Sequence, residues 1–164
     1  MNIKYRRNTE NDAAAIRALI DECFGYTKKT CPRIPVDAYL LAFDGEELVA
    51  ITGILTDNNT DYIGGEIGWT CCKKSHRGHG IITYMINLEL NRVGPEMTVY
   101  CECWATGKVA HVKSAMAANG FRIDMETRRR RSDLYKSCET CVYKSEGGLC
   151  SCSVLLYRRM GKQV

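Results

Sequence analysis

The sequence predicts an α/β fold, with helices around a mixed sheet, and three observations carry the prediction. The first is a change of hydrophobic period between residues 62 and 90. Positions 63, 67, 69 and 71 alternate with 66, 68, 70 and 72 as in a strand, and after Gly80 the apolar residues recur at helical spacing. The second is a pair of strand-like runs, 38–43 and 47–55, joined at Asp44-Gly45, a strong hairpin signal. The third is the succession of elements, β-α-β-β-β-α-β-α-β-β, within 164 residues that hold no repeat, no low-complexity segment and no linker.

Taken in order, residues 2–7 form the first strand. Thr9 with Asp12 is a capping pair for a helix whose apolar face is Ala13, Ile16, Leu19, Ile20, Cys23 and Phe24. Residues 25–36, with Gly25, Pro32 and Pro35, are a loop or broken helix. After the hairpin, the polar turn 57–61 leads into the strand 62–72, which has Ile63, Ile67, Trp69 and Cys71 on an apolar face and Glu66, Gly68, Thr70 and Cys72 on a small, polar one. The helix after Gly80 aligns Ile81, Met85 and Leu88, and also Ile82, Ile86 and Leu90. A strand at 97–104 follows, then a helix over 108–119. Gly120 is placed to end that helix as a left-handed residue, with Phe121 packing back. A last strand covers 153–160.

The loop between the central strand and its helix carries the chemistry. Lys73-Lys74-Ser75-His76-Arg77-Gly78-His79-Gly80 is basic and glycine-rich. The first turn of a helix has unpaired N–H groups and a partial positive charge, so it attracts anions. Glycines 78 and 80 let the backbone approach a bulky anion, and Arg77 and the lysines add formal charge. The site reads as a phosphate or pyrophosphate cradle. A P-loop is not supported, because no Gly-Lys-Ser/Thr follows, and neither is a dinucleotide fold, because G-x-G-x-x-G is missing.

Arg77, Gly78, His79, Gly80, Ile81 and Ile82 resemble the acyl-CoA loop of the GNAT superfamily of N-acetyltransferases, Arg/Gln-x-x-Gly-x-Gly/Ala, with Ile82 where a small residue is usual. The element order and the Gly120-Phe121 pair extend that resemblance over most of residues 1–125 and the last strand. It implies a GNAT-like acyl-CoA N-acyltransferase fold in which strands 66–72 and 97–104 splay apart. Amides near Cys71 and Cys72 would then pair with the pantetheine arm of acetyl-CoA, and loop 25–36 would help shape the acceptor site. It also implies Glu66 as the base that accepts the amine's proton, ahead of Asp61 and Glu47. The family's usual acid is a Tyr four residues before the Gly-Phe, and here that position is Met116. Either the CoA thiolate leaves unaided, or Tyr84, Ser114 or His111 substitutes, or the protein does not catalyse. Direct attack in a ternary complex is expected. For a ping-pong route through Cys71 or Cys72 the nearby histidines are only His76 and His79.

The C-terminal third departs from the family. Cys138-x-x-Cys141 and Cys150-x-Cys152 flank a turn-rich tip, so a Cys-rich β-hairpin at about 136–153 could gather four sulfurs around a structural zinc. Free thiols or a disulfide-stapled hairpin are the alternatives. Arg128–Arg131 alternate sides on a strand and read as a solvated rim; contact with the CoA 3′-phosphate, an acidic protein or RNA is the functional alternative. A single domain over 1–164 is expected.

Composition narrows the classes. The chain is 45% hydrophobic and 26% charged, as in an ordinary globular protein, and a net charge of +4 suits an anionic cosubstrate without arguing for nucleic acid. No apolar run approaches the ~18–20 residues that span a bilayer, and no signal peptide is read, since Arg17 interrupts the early apolar run. The ten cysteines are therefore expected to be reduced thiols in a cytoplasmic protein. The expected function is acetyl transfer from acetyl-CoA to a primary amine, small molecule or protein. The alternative is a non-catalytic GNAT-shaped CoA-binding or interaction module working through its hairpin and arginines.

Overall fold

The computed structural model describes residues 1–24, 34–56, 64–105, 112–127 and 153–161, and within them the elements follow the expected order. Strand β1 (Ile3–Arg7) leads to a 3-10 turn, Glu10–Asp12, and helix α1 (Ala13–Phe24). Asp12 reaches back to the Thr9 amide (2.7 Å) and hydroxyl (2.8 Å), as the capping pair requires, and also takes a two-pronged bond from Arg6 at 2.7 Å per contact. Arg6 above all, with the Thr9 groups, holds the Asp12 carboxyl well below the usual carboxylate range. Ile16, Leu19 and Ile20 bury the predicted face of α1, while Phe24 at its end is 44% exposed.

Strands β2 (Leu40–Asp44) and β3 (Glu47–Thr52) form the hairpin, closed by the Asp44↔Glu47 pair around Gly45 and Glu46. The run predicted as one strand then breaks at Gly53 and resumes as β4 (Ile54–Leu55). A side chain at 53 would run into the Ala38 carbonyl oxygen, so the chain can pass there only as glycine. The central strand is likewise two pieces, β5 (Gly65–Ile67) and β6 (Cys71–Cys72). Helix α2 (Ile81–Val93), β7 (Val99–Ala105), α3 (Lys113–Ala118), β8 (Arg122–Thr127) and β9 (Ser153–Arg159) complete the chain. α3 ends as predicted: Gly120 N–H donates to Ala117 O and Phe121 N–H to Met116 O, and the Phe121 ring shares the core with Met116.

The strands form two sheets, β1-β2-β3-β6 and β4-β5-β7-β9-β8. They are joined because β3–β4 and β5–β6 run side by side through both. The register shows how. Ile51 pairs with Cys71 and Ile54 with Ile67, so three steps on one strand face four on the other. The extra residue in 68–70 is a β-bulge, which bends a strand and raises its twist. Thr52 and Thr70 hydroxyls meet across it at 2.7 Å, and Gly68 N–H reaches Gly53 O at 2.9 Å.

The bulge corrects the single-face reading of residues 62–72, because an odd insertion flips every side chain beyond it. Ile67 packs with Ile86, Leu90 and Val99 beneath α2 and α3. Trp69 and Cys71 instead pack against α1, with Ile16, Ile20 and Tyr39. Cys72, expected on the same face as Glu66, lies with Ile81 and Met85 on the α2 side. Ile63 is outside the described residues. So are part of loop 25–36, the turn 57–61, the start of the predicted 108–119 helix, Arg128–Arg131, and the four hairpin cysteines Cys138, Cys141, Cys150 and Cys152. Among the described residues no helix is long and apolar enough to cross a membrane, and no three His, Cys, Asp or Glu side chains converge as a metal site would need.

Candidate active site

The glycine loop enters α2 through left-handed backbone. Gly78 has φ +83° and Gly80, the N-cap residue, has φ +75°, values that residues with a side chain rarely adopt. A Cβ at either position would meet no atom within 4 Å, so this side of the turn is open space. No side chain caps α2. Its first internal bond runs from Tyr84 N–H to Gly80 O, which leaves the amides of residues 81–83 without a helical acceptor. Open space in front of an uncapped helix start is the physical arrangement that holds a phosphate. Ile82 does not fill it: its side chain packs against the clusters on the sheet side of α2.

The cations around this turn are divided. Lys73 is held by Glu47 (2.6 Å) and Glu22 (3.4 Å), and His76 by Asp44 (3.4 Å) and Ser75 (2.8 Å). The acids that hold them lie far away in sequence. Arg77 is exposed, with its Nε donating to the Cys72 carbonyl at 2.9 Å; Lys74 and His79 are exposed as well.

Beside the turn, the sheet parts. β5 pairs with β7 in parallel at Gly65↔Val99 and Glu66↔Tyr100 and no further, while β6 pairs with β3 alone among the described residues. The predicted splay therefore opens just past Glu66. Lys73 N–H donates to Val49 O at 2.8 Å, so by the alternation of an antiparallel ladder the Cys71 amide also faces β3. The Cys72 amide faces the opening. Of the two residues expected to offer amides there, Cys72 is the one that does.

Glu66 sits half-buried at the apex, opposite Leu55 and on the α1 face together with Trp69. Phe24 meets Trp69 edge-on at 5.5 Å, so an aromatic pair stands on that same face. Met116 is fully buried in the core, where it can donate nothing. Tyr84 is not brought to the opening: it is 51% exposed and its ring meets Tyr5 of β1 at a tilt, at the far edge of the first sheet. Ser114 is exposed on α3, and His111 lies outside the described residues.

Two features were not anticipated from the sequence. Glu89, on the apolar face of α2, is 2% exposed and takes bonds from Arg7 (2.5 Å), Arg92 (2.9 Å) and the Ile54 amide (3.0 Å). Arg92 also donates to Ile54 O at 2.7 Å. Both polar groups of Ile54, the first residue after the Gly53 break, are thus fixed by α2. The sequence signal was a carboxylate between Met85-Ile86 and Leu90, where the helical period calls for an apolar residue. The second feature is the Cys23 thiol, which lies against Cys71 and 3.5 Å from the Cys72 carbonyl. The Cys71 thiol donating to it, and the Arg77 guanidinium beside it, lower Cys23 to about 7. The Cys23 contact and burial push Cys71 up, so Cys23 is the thiol of the pair that ionises.

This split pair of sheets, with one helix on one face and two on the other, recurs in solved structures. The ribosomal-protein-S18-alanine N-acetyltransferase from Escherichia coli superposes with a TM-score of 0.70 at 10% identity, over 99% of this chain and 96% of its own. A GNAT-family acetyltransferase from Streptococcus pneumoniae gives 0.67 at 12% identity, over 98% and 100%. The fold is that of the GNAT acetyltransferases. A chain of the NatC complex, solved bound to Gag peptide and CoA, shares that GNAT fold at a TM-score of 0.66 and 14% identity, over 99% of this chain and 100% of its own. No protein-family model matches the sequence, and no curated protein matches it.

Proposed function

We propose that this chain is an N-acetyltransferase that moves the acetyl group of acetyl-CoA to a primary amine by direct attack in a ternary complex. The observation that carries the reading is a conjunction: an uncapped helix start behind two left-handed glycines lies next to a parted strand pair with a carboxylate at its apex. The amides around Gly78, His79, Gly80, Ile81 and Ile82 would grip the diphosphate, with Arg77 contributing charge. The pantetheine arm would lie in the opening, with the Cys72 amide as its partner and the Cys71 segment as its wall.

The amine must be neutral to attack. Glu66 stands at the apex to accept its proton directly or through water, which is worth about 10²–10⁴ in rate for a well-placed base. Nucleophilic nitrogen then adds to the thioester carbonyl, and the tetrahedral intermediate collapses with loss of the CoA thiolate. Near neutral pH a thiolate leaves without a strong acid, so a buried Met116 in place of a tyrosine is compatible with turnover. Support from the neighbours is general: one acetylates a protein alanine, and another was solved with CoA and a peptide.

Met116 is also the observation that favours a second reading, a CoA-binding module without catalysis. One experiment tests both. Calorimetry with CoA is combined with CoA release from acetyl-CoA in the presence of an amine panel and peptide N-termini. Binding with release supports the enzyme, binding without release supports the module, and no binding removes both.

A further inference from the structure

Three groups from separate parts of the chain meet at the end of β6. Cys23, in the last turn of α1, is partly exposed and packs against the core cluster that contains Cys71. Its other contact, the Cys72 carbonyl, is the same oxygen that accepts Arg77 Nε. Cys71 is buried beneath it. One thiol is reachable from solvent, a second is buried in the cluster it packs against, and a guanidinium lies alongside. That is the arrangement of an attacking and a resolving cysteine. The other described sulfur pair, Cys101 and Cys103 at 3.4 Å, lacks the first property, since both residues are buried in the core.

We propose that Cys23 and Cys71 form a thiol-disulfide exchange site that takes low-molecular-weight disulfides, with Cys23 attacking and Cys71 resolving. The Cys23 thiolate attacks one sulfur of the small disulfide, forms a mixed disulfide and releases one small thiolate. Cys71 then attacks the Cys23 sulfur, its proton leaving with the second small thiol, and a Cys23–Cys71 disulfide closes. Two protein thiols are oxidised and one small disulfide is reduced to two thiols. Once Cys23 is in the mixed disulfide it no longer bears the negative charge that held Cys71 protonated, so the first step prepares the second. The lowered value of Cys23, about 7, supports the assignment of the attacker. The product ties α1 to the strand that leads into the glycine loop.

The test uses the full-length folded chain and oxidised glutathione. Peptide mapping without reduction is expected to show a Cys23–Cys71 cross-link. Cys71→Ser is expected to stop at a glutathione adduct on Cys23, and Cys23→Ser to leave Cys71 unmodified. On the unmutated protein, competitive alkylation should label Cys23 at least tenfold faster than Cys71, Cys72, Cys101 or Cys103. Its rate should rise with pH through a midpoint near 7. This measurement does not depend on either variant folding. Absence of the Cys23–Cys71 peptide after prolonged oxidation, or Cys23 labelling no faster than those four cysteines, overturns the proposal.

Discussion

Two glutamates address neighbouring rungs of the central ladder from opposite sides. Glu89 comes from α2 and holds the main chain of Ile54, which pairs with Ile67; Glu66 belongs to the next rung, opposite Leu55, and faces α1. Glu89 is buried between two arginines and a backbone amide, whereas Glu66 stands at the point where β5 and β7 cease to pair. The contrast separates two jobs for one side chain. A carboxylate held by two arginines and a backbone amide organises the main chain around it, whereas the role proposed for the one at the mouth of the opening is proton exchange.

That contrast can be broken from either side. Glu89→Ala leaves the Ile54 amide without its acceptor and removes one acceptor from each of two arginines, which keep Asp37 and the Ile54 carbonyl. Discounted for the partly exposed arginines, it should cost about 3 kcal/mol of stability in urea unfolding. Glu89→Gln retains an acceptor for Ile54 and should recover part of that loss. Glu66→Gln should leave CoA affinity unchanged while acetyl transfer at neutral pH falls about 10²-fold or more. Unchanged turnover would remove Glu66 from the mechanism. Gly80→Val places a branched side chain at φ +75°, in front of the uncapped turn, and should weaken CoA binding about tenfold in calorimetry.

The smallest effect sharpens the comparison with a third carboxylate, buried itself but paired with a half-exposed arginine. Asp12→Asn should cost about 1 kcal/mol at neutral pH, because its partner Arg6 is half exposed. Asp12 has a folded pKa below its unfolded value, so its contribution is complete above the unfolded value near 4 and is lost as pH falls through the lower folded one. Urea titrations of the two proteins should therefore converge in acid.

Much of this was legible in the chain because it depends on local chemistry. The strand-to-helix switch at 72–81, the Thr9–Asp12 cap and the Gly120–Phe121 stop each rest on residues a few positions apart, and the structure has all three. The bulge was not legible. Gly68 and Thr70 fit a regular alternation, and nothing in them records that four residues on one strand face three on the other. The charges around the loop were misjudged for a related reason. Lys73 looks like a free cation until the hairpin brings Glu47 beside it. Tyr84 leans over Tyr5 of β1, and position along α2 does not reveal which sheet edge a side chain leans over.

The unpaired position at 68–70 works like a half-step in a screw thread. Upstream of it, odd-numbered residues look toward α2; downstream, they look toward α1. Deleting one residue there would leave composition and loop length almost untouched. It would nonetheless turn Cys71, Cys72 and the entry to the glycine turn inside out with respect to Glu66.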